Sequence, residues 1–356
     1  ARAKAGVVNT DTMQIVEKAM KAFIAYWEEN SSDYGPFEEF EGSGKPNIRN
    51  AQTALEMLYH YVEERRGLLT DRSFSLISVE QAFAVPLDPY DDTLIYIGKI
   101  DKIFRYQGDL LLKEHKTTTL FKKNGPFEAQ FVDSFSPNSQ VDGYLYAVSI
   151  FYSKPKACWI DGALVHKDHH DAFKIIPVQR QQGQIETWLW EAHDWIRQIE
   201  ANLDVYHEGL VGRNKWDRQP YLAAFPKNTN SCTNYGGCPY LDLCKGWSNP
   251  EREGTPLGFV VKPWFPFDEL QMARRRNILG ASRAIRPDDR LYDNTRISDY
   301  RACPRKYYFR HVRNFKPEED RLPLLFGGAW HAAMDVVWME LAGRPKVMGL
   351  IPGRKA

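Results

Sequence analysis

Apolar positions recur every three or four residues over 11–29 and again over 48–66, where "ALEMLYHYVEERR" keeps its large apolar residues on one stripe. Both stretches are predicted amphipathic helices. The Gly, Pro and Glu-rich "SSDYGPFEEFEGSGKPN" between them predicts a loop. The period then changes. β-branched and aromatic residues dominate 76–85, 93–104 and 108–117, which predicts three strands. "SQVDGYLYAVSIFY" (139–152) returns to helical spacing, and "ACWIDGALVHK" and "FKIIPVQR" read as further strands. A long amphipathic helix is predicted around 184–207, followed by a segment rich in cysteine. Helices, strands and helices in this order predict a mixed α/β core.

Within "YIGKIDKIFRYQGDLLLKEHKTTT" (96–119), charged residues stand where strands usually carry apolar ones. A turn centred on Gln107 and Gly108 sets Asp101 directly opposite Glu114. A turn on Gly108 and Asp109 shifts the pairing but keeps the acids together. Cross-strand partners have Cβ atoms about 5 Å apart, so facing carboxylates repel unless something positive sits between them. Alternation along the second strand puts Leu110, Leu112, Glu114 and Lys116 on one face, which brings a lysine to the acids. One reading is a solvated strand end with a surface Lys/Glu pair. The other is a hard-cation site, with carboxylates and a backbone carbonyl around magnesium or manganese and a lysine orienting the attacking water. That chemistry suits phosphodiester hydrolysis.

Composition narrows the setting. The chain has 356 residues, 43% of them hydrophobic, which is enough for a sizeable core and about two domains. No apolar run approaches the length of about 18 residues that a membrane span needs, and the first residues lack a signal-peptide core, so a cytoplasmic protein is expected. Net charge is only +1, so nucleic-acid binding has to come from a local basic surface. Cys158 lies in an apolar, β-branched run and is expected to pack as a small hydrophobe. Cys232, Cys238 and Cys244 stand together and Cys303 stands apart, which are the parts of a four-ligand metal site.

Gly98 and Asp101, followed by Glu114, His115 and Lys116, resemble the G-x-x-D and E-x-K motifs of the PD-(D/E)XK nucleases. Gln140 and Tyr144 in "QVDGY" resemble the Q-x-x-x-Y motif of the RecB-like branch, and at this spacing they share one helix face. The segment "SCTNYGGCPYLDLC" resembles the cysteine cluster of the iron-sulfur members, such as the AddB nuclease domain and the CRISPR-associated exonucleases. In that family a first cysteine and a metal-binding histidine precede the acids. Here the matching "ISDYRACPRKYYFRHV" and "LLFGGAWHAAMDVVW" come last. Reading Met272 to Ala356 before Ala1 to Gln271 restores the family order of Cys303, His331, Asp101, Glu114, Lys116, Gln140, Tyr144, Cys232, Cys238 and Cys244. The domain is then circularly permuted, or its segments are joined in an unusual order, and either arrangement puts the same residues in the same site.

The resemblance implies an α/β fold with a PD-(D/E)XK restriction-endonuclease-like core, a mixed central sheet flanked by helices. Helical insertions and a cysteine-ligated cluster subdomain complete it. Residues 1–70 would be a helical part, 71–215 the core, 216–271 the cysteine segment and 272–356 the displaced front part. Asp101, Glu114, His331 and the carbonyl of His115 would bind Mg2+ or Mn2+. Lys116 would position the nucleophilic water, and Gln140 and Tyr144 would steady Lys116 and the substrate phosphates. His331 stands beside the apolar stripe of Trp330, Met334, Trp338 and Leu341, with Asp335 one turn on, and by itself reads as a helix histidine; the family motif makes it a ligand. Gly327 and Gly328 would let its helix start close to the site.

For the four cysteines the resemblance implies a 4Fe-4S cluster. Zinc is the competitor, but structural zinc sites carry ligands at C-x2-4-C spacing, whereas each gap in this segment holds five residues. The family form has a shorter first gap, so Cys238 and Cys244 are the closer match. A shared cluster requires 296–313 to pack beside 230–247 and the two chain ends to lie within loop reach. "VHKDHHDAF" (165–173) holds three histidines and two acids but reads as a solvated loop between strands. "RRRNILGASRAIRPDDR" and "RACPRKYYFRHVR" interleave basic and aromatic residues, as single-strand binding surfaces do, although Tyr307, Tyr308 and Phe309 equally suit a core. Lys122, Lys123, Arg305 and Arg310 are the expected phosphate contacts. The expected partners are single-stranded DNA or duplex ends and the proteins of a DNA-processing complex. The reading that follows is an exonuclease; the alternative is a non-catalytic iron-sulfur DNA-binding or assembly module, whose signature would be loss of the acids or the lysine.

Overall fold

The computed structural model describes residues 10–31, 35–37, 48–120, 127–211, 222, 224–234, 237–264, 286, 288–318 and 321–343. The chain is an α/β protein whose mixed central sheet is flanked by helices. It divides into two compact units, Ala1–Gln81 with Lys99–Arg180 and Glu319–Ala356, and Ala82–Gly98 with Gln181–Glu318. This division cuts across the segment 272–356, which contributes to both.

In the first unit, α1 (Thr10–Asn30) and α2 (Ala51–Leu69) form where the helical period predicts them. Asn50 caps α2 by accepting from the Thr53 N–H, and its apolar stripe of Met57, Leu58, Tyr61 and Val62 is buried. The sheet runs in the order β1 (Phe74–Pro86), β2 (Leu94–Tyr106), β3 (Asp109–Thr118), β4 (Ala157–Leu164), β5 (Phe173–Val178). Gln107 and Gly108 both adopt left-handed φ, +52° and +86°, the geometry of a two-residue hairpin turn. The register is therefore the first of the two alternatives, with Ile103 opposite Leu112 and Lys102 opposite Lys113. α3 (Ala129–Asp133) and α4 (Ser139–Phe151) follow, and β4 then pairs parallel to β3 and antiparallel to β5.

One sheet face, carrying Phe104, Leu111, Ala157 and Phe173, buries its apolar side chains against α1, α2 and the late helix α9 (Leu322–Ala342). Trp27, Tyr61, Trp330 and Trp338 fill this core with almost no exposure. Gly327 and Gly328 lie within α9, one turn past its start, and do not precede it as the sequence suggested. Gly328 faces the Tyr26 ring of α1 so closely that a Cβ would collide with it, and Gly327 faces Thr117 of β3. These glycines bring α9 close to its neighbours.

The second unit contains α5 (Gln182–Val211), α6 (Leu241–Gly246), α7 (Asn294–Ala302) and α8 (Pro304–Tyr307). The short strands β6 (Phe259–Val261) and β8 (Phe315–Pro317) pair antiparallel, and β7 (Arg290–Tyr292) pairs parallel with Leu94–Tyr96. A Cβ on Gly98 would lie 2.6 Å from the buried Phe83 ring, which accounts for glycine there. Tyr307, Tyr308 and Phe309 are all fully buried, against Phe225, Tyr206 and Tyr240. They are core residues and offer no stacking surface to a nucleic acid.

Candidate active site

The regular β2–β3 ladder runs from the turn to Lys102 and Lys113, and at the next position the pattern changes. The Asp101 carboxylate accepts the backbone N–H of His115 at 2.7 Å. A side chain thus takes over a main-chain partner and fixes the Asp101 carboxylate at the point where the strands diverge. His331, on α9, brings its Nδ1 to 3.3 Å from the same Asp101 oxygen.

Glu114 and Lys116 share a strand face, as alternation requires. Lys116 Nζ donates to Glu114 Oε1 at 2.7 Å and to Gln140 Oε1 at 3.2 Å. The Gln140 amide nitrogen donates to Glu114 Oε1 at 3.2 Å and to the Tyr144 hydroxyl at 2.9 Å. One turn of α4 separates Gln140 from Tyr144, and Asn138 caps that helix by accepting from the Val141 N–H. Glu114 Oε2 is buried and has no hydrogen-bond partner.

The sequence-derived ligand set is only partly the one the structure groups. Asp101 and His331 come together with Glu80 of β1, their ligand atoms all lying within 4.8 Å of one another. Glu80 is absent from the motifs. Its one sequence signal is that it is the single acid in "LISVEQAFAV". Glu114 lies outside that group, held by Lys116 and Gln140 within electrostatic reach of Asp101, and His115 contributes its N–H to Asp101.

The charges respond to this crowding. Burial and the neighbouring Asp101 carboxylate push Glu114 up to about 7. Burial would also raise Asp101, but His331 and Lys102 outweigh it and hold the carboxyl well below its usual range. Burial opposes charge on His331, yet the Asp101 carboxylate raises it above an ordinary histidine. Lys116 follows the same logic, with Glu114 overcoming burial to hold the ammonium above the usual lysine value.

Glu114 is raised above its unfolded value, so its contribution is fully present below about pH 4.3 and is lost as pH rises through about 7. Without divalent cations, melting temperature is expected to fall between about pH 5 and pH 8, and added Mn2+ to restore it more at about pH 8 than at about pH 5. Thermal melts at the two pH values with and without Mn2+ check this; an equal Mn2+ effect at both would refute it.

Beneath the site, on the core face of the sheet, lies a buried ionic cluster that sequence reasoning missed. Lys113 Nζ is 2.5 Å from Asp161, Arg65 is 2.7 Å from its other oxygen, and the Tyr61 hydroxyl donates to Asp161 at 2.6 Å. The Trp338 indole N–H donates to Tyr61 at 3.0 Å, and Lys113 Nζ sits 4.2 Å from the Trp338 ring centre. Lys102, fully buried, pairs with Asp335, one turn beyond His331 on α9. That ion pair ties the histidine helix to the strand bearing Asp101. The His115 ring is buried beside this cluster with neither nitrogen hydrogen-bonded, and burial with the neighbouring Lys102 pushes it well below the usual histidine range. A neutral ring results.

In the second unit the cysteine segments adjoin. The Asn228 N–H donates to Cys303 Sγ at 3.3 Å, Ser231 Oγ donates to the Ala302 carbonyl at 2.6 Å, and the Tyr240 and Phe309 rings lie 5.5 Å apart. Residues 296–313 therefore pack beside 230–247. Cys238 N–H donates to the Cys232 carbonyl at 2.8 Å. Burial pushes Cys244 up to about 11 and raises Cys238, while Lys227 and Arg305 near the former and Lys306 near the latter oppose it. Both thiols also feel Cys303. Among the described residues no three of these sulfurs lie within 4.8 Å of one another, whereas a tetrahedral zinc with bonds of about 2.3 Å would hold them about 3.8 Å apart. Cys158 is buried in β4, as expected.

Other expectations change. Arg305 is buried and donates to the carbonyls of Leu222 and Phe225, so it is no phosphate contact. Arg310 pairs with Asp299 and is half-exposed. Lys122 and Lys123, and both chain ends, lie outside the described residues. In the 165–173 loop, His170 pairs with Glu56. No described helix is long and apolar enough to cross a membrane. No family model matches the sequence, and no curated protein matches it.

Proposed function

We propose that the chain is a divalent-metal-dependent deoxyribonuclease acting on single-stranded DNA or duplex ends. The observation that carries this reading is the network of Lys116, Gln140 and Glu114, which leaves Glu114 Oε2 buried and unpartnered close to Asp101 and His331. An orphaned buried carboxylate oxygen is costly unless something binds it, and a hard cation fits a site of carboxylates and imidazole. The motif resemblance supports the same assignment.

Asp101, Glu114 and His331 would hold the cation, which supplies Lewis-acid activation of a water and of the scissile phosphate. The His115 N–H keeps the Asp101 carboxylate turned toward His331. Lys116 has three N–H donors and spends two on Glu114 and Gln140, which leaves one for the nucleophilic water or a phosphate oxygen. Gln140, anchored by Tyr144, sets the direction in which that last donor points. Lys116 is partly exposed, so substrate can reach it.

Protein supplied with Mn2+ is expected to degrade labelled single-stranded DNA, and chelation with EDTA to abolish degradation. No cleavage of single- or double-stranded DNA with either Mg2+ or Mn2+ would overturn the reading. Cys232, Cys238, Cys244 and Cys303 would hold a 4Fe-4S cluster with a structural role, joining 296–313 to 230–247. The purified protein should then be brown, and Cys303→Ala should bleach it and lower its melting temperature, because thiolate ligation forms only in the folded state. A colourless protein carrying stoichiometric zinc would replace the cluster with zinc.

A further inference from the structure

We propose that the exposed face of α5, with the pocket it forms against α7, docks an arginine-rich segment of a partner protein, one arginine entering beside Trp190 and Trp195 and meeting Glu191. The inference does not depend on the nuclease reading.

α5 buries Trp188, Ala192, Ile196 and Ile199 on one side, and Glu186, Trp190, Asp194 and Arg197 follow one another at three- and four-residue steps along its outward stripe. A polar outward face by itself is only solvated. This one also presents an indole. Trp190 is 76% exposed, and Trp190, Glu191, Asp194 and Trp195 line, with Arg301 of α7, an open pocket of about 410 Å3. That volume falls in the range of ligand sites, about 300–1,000 Å3. The Tyr300 hydroxyl donates to the Gln198 carbonyl at 3.3 Å and accepts from the Asn202 amide at 2.5 Å, which fixes α7 against α5 beside the pocket.

The pocket already contains the contact that a partner would make. The Arg301 guanidinium lies 5.7 Å from the centre of the Trp195 ring, a cation held on an indole face. Asp194 is paired with Arg197, whereas among the described residues Glu191 has no ion pair, and it stands one helical turn before Trp195. Exposed indoles also stack nucleic-acid bases, but such platforms line positively charged grooves. Here five exposed carboxylates of α5, Glu186, Glu191, Asp194, Asp204 and Glu208, face solvent against one exposed arginine, Arg197. That field repels phosphate and attracts a basic chain. Arginine suits the pocket better than lysine, because a planar guanidinium both stacks on an indole and pairs with a carboxylate.

Fluorescence anisotropy of a labelled nona-arginine peptide titrated with the full chain tests the proposal. Trp190→Ala and Glu191→Gln should each weaken the peptide by about tenfold or more, while Glu208→Gln, at the far end of the face, changes it little. Arg301→Ala should tighten it several-fold by freeing the Trp195 ring, an effect opposite in sign to any loss of folding. Affinity for a labelled single-stranded oligonucleotide should be the same in wild type and Trp190→Ala. Absence of peptide binding by wild type, or equal binding by Trp190→Ala, would overturn the proposal. Equal losses in Glu208→Gln and Glu191→Gln would reduce the site to diffuse charge attraction and overturn it as well. If Trp190→Ala weakens the oligonucleotide and spares the peptide, the face belongs to DNA.

Discussion

Replacing Lys116 with alanine is expected to lower the single-turnover cleavage rate by about a thousandfold or more while changing DNA affinity only slightly. Glu114 and Gln140 engage Lys116 and leave it one N–H, which on the proposed reading would serve the reacting oxygens. An interaction that strengthens as charge develops acts on rate more than on binding. The alanine variant also removes the cation beside Glu114, whose carboxyl burial and Asp101 already push up to about 7. Its residual activity should therefore shift to higher pH. Binding measured by fluorescence anisotropy in Ca2+, beside cleavage in Mn2+, separates the two effects. A variant that cuts at the wild-type rate would remove Lys116 from the chemistry, and one that loses binding in proportion to rate would make it a phosphate contact.

The second large effect is expected at Asp161, which no motif marks. Asp161→Ala leaves Lys113 and Arg65 buried without their carboxylate and Tyr61 without its acceptor. Removing one partner of a buried ion pair costs about 3–5 kcal/mol, a large fraction of a domain's stability. Urea unfolding of the variant should show this loss, and a cost under about 1 kcal/mol would mean that water reaches the cluster. The acid limb offers an independent check. Burial would raise Asp161, but Lys113 and Arg65 hold it below the usual carboxylate range. Its stabilisation is therefore present above the unfolded value of about 3.9 and is lost as pH falls below it. Asp161→Asn should flatten that limb.

What was legible in the sequence was local. The hairpin register follows from Gln107 and Gly108, whose left-handed conformations close a two-residue turn, and it carries the neighbourhood of Asp101 and Glu114 with it. The one-turn spacing of Gln140 and Tyr144 follows from helical pitch alone. The helices over 10–30 and 51–69 and the strands β1–β5 lie within a few residues of where periodicity places them, whereas periodicity does not predict the short β7. In each case the determining interactions lie within one or two turns of chain.

Tertiary structure decided the rest, because burial and charge pairing depend on which distant segments meet. Arg305 and Tyr307–Phe309 look like a basic aromatic surface, yet the carbonyls of Leu222 and Phe225 need a donor and the rings need a core. Glu80 reads as an isolated strand acid until β1 lies beside β2 and a left-handed residue turns it toward Asp101. Asp161 reads as one polar residue in an apolar strand until α2 and β3 deliver Arg65 and Lys113 to it. His331 approaches Asp101 from a helix that the Lys102–Asp335 pair ties to the sheet. Periodicity and motif spacing report what neighbours along the chain can do, whereas a buried charge is settled by partners that only the folded chain brings within hydrogen-bond distance.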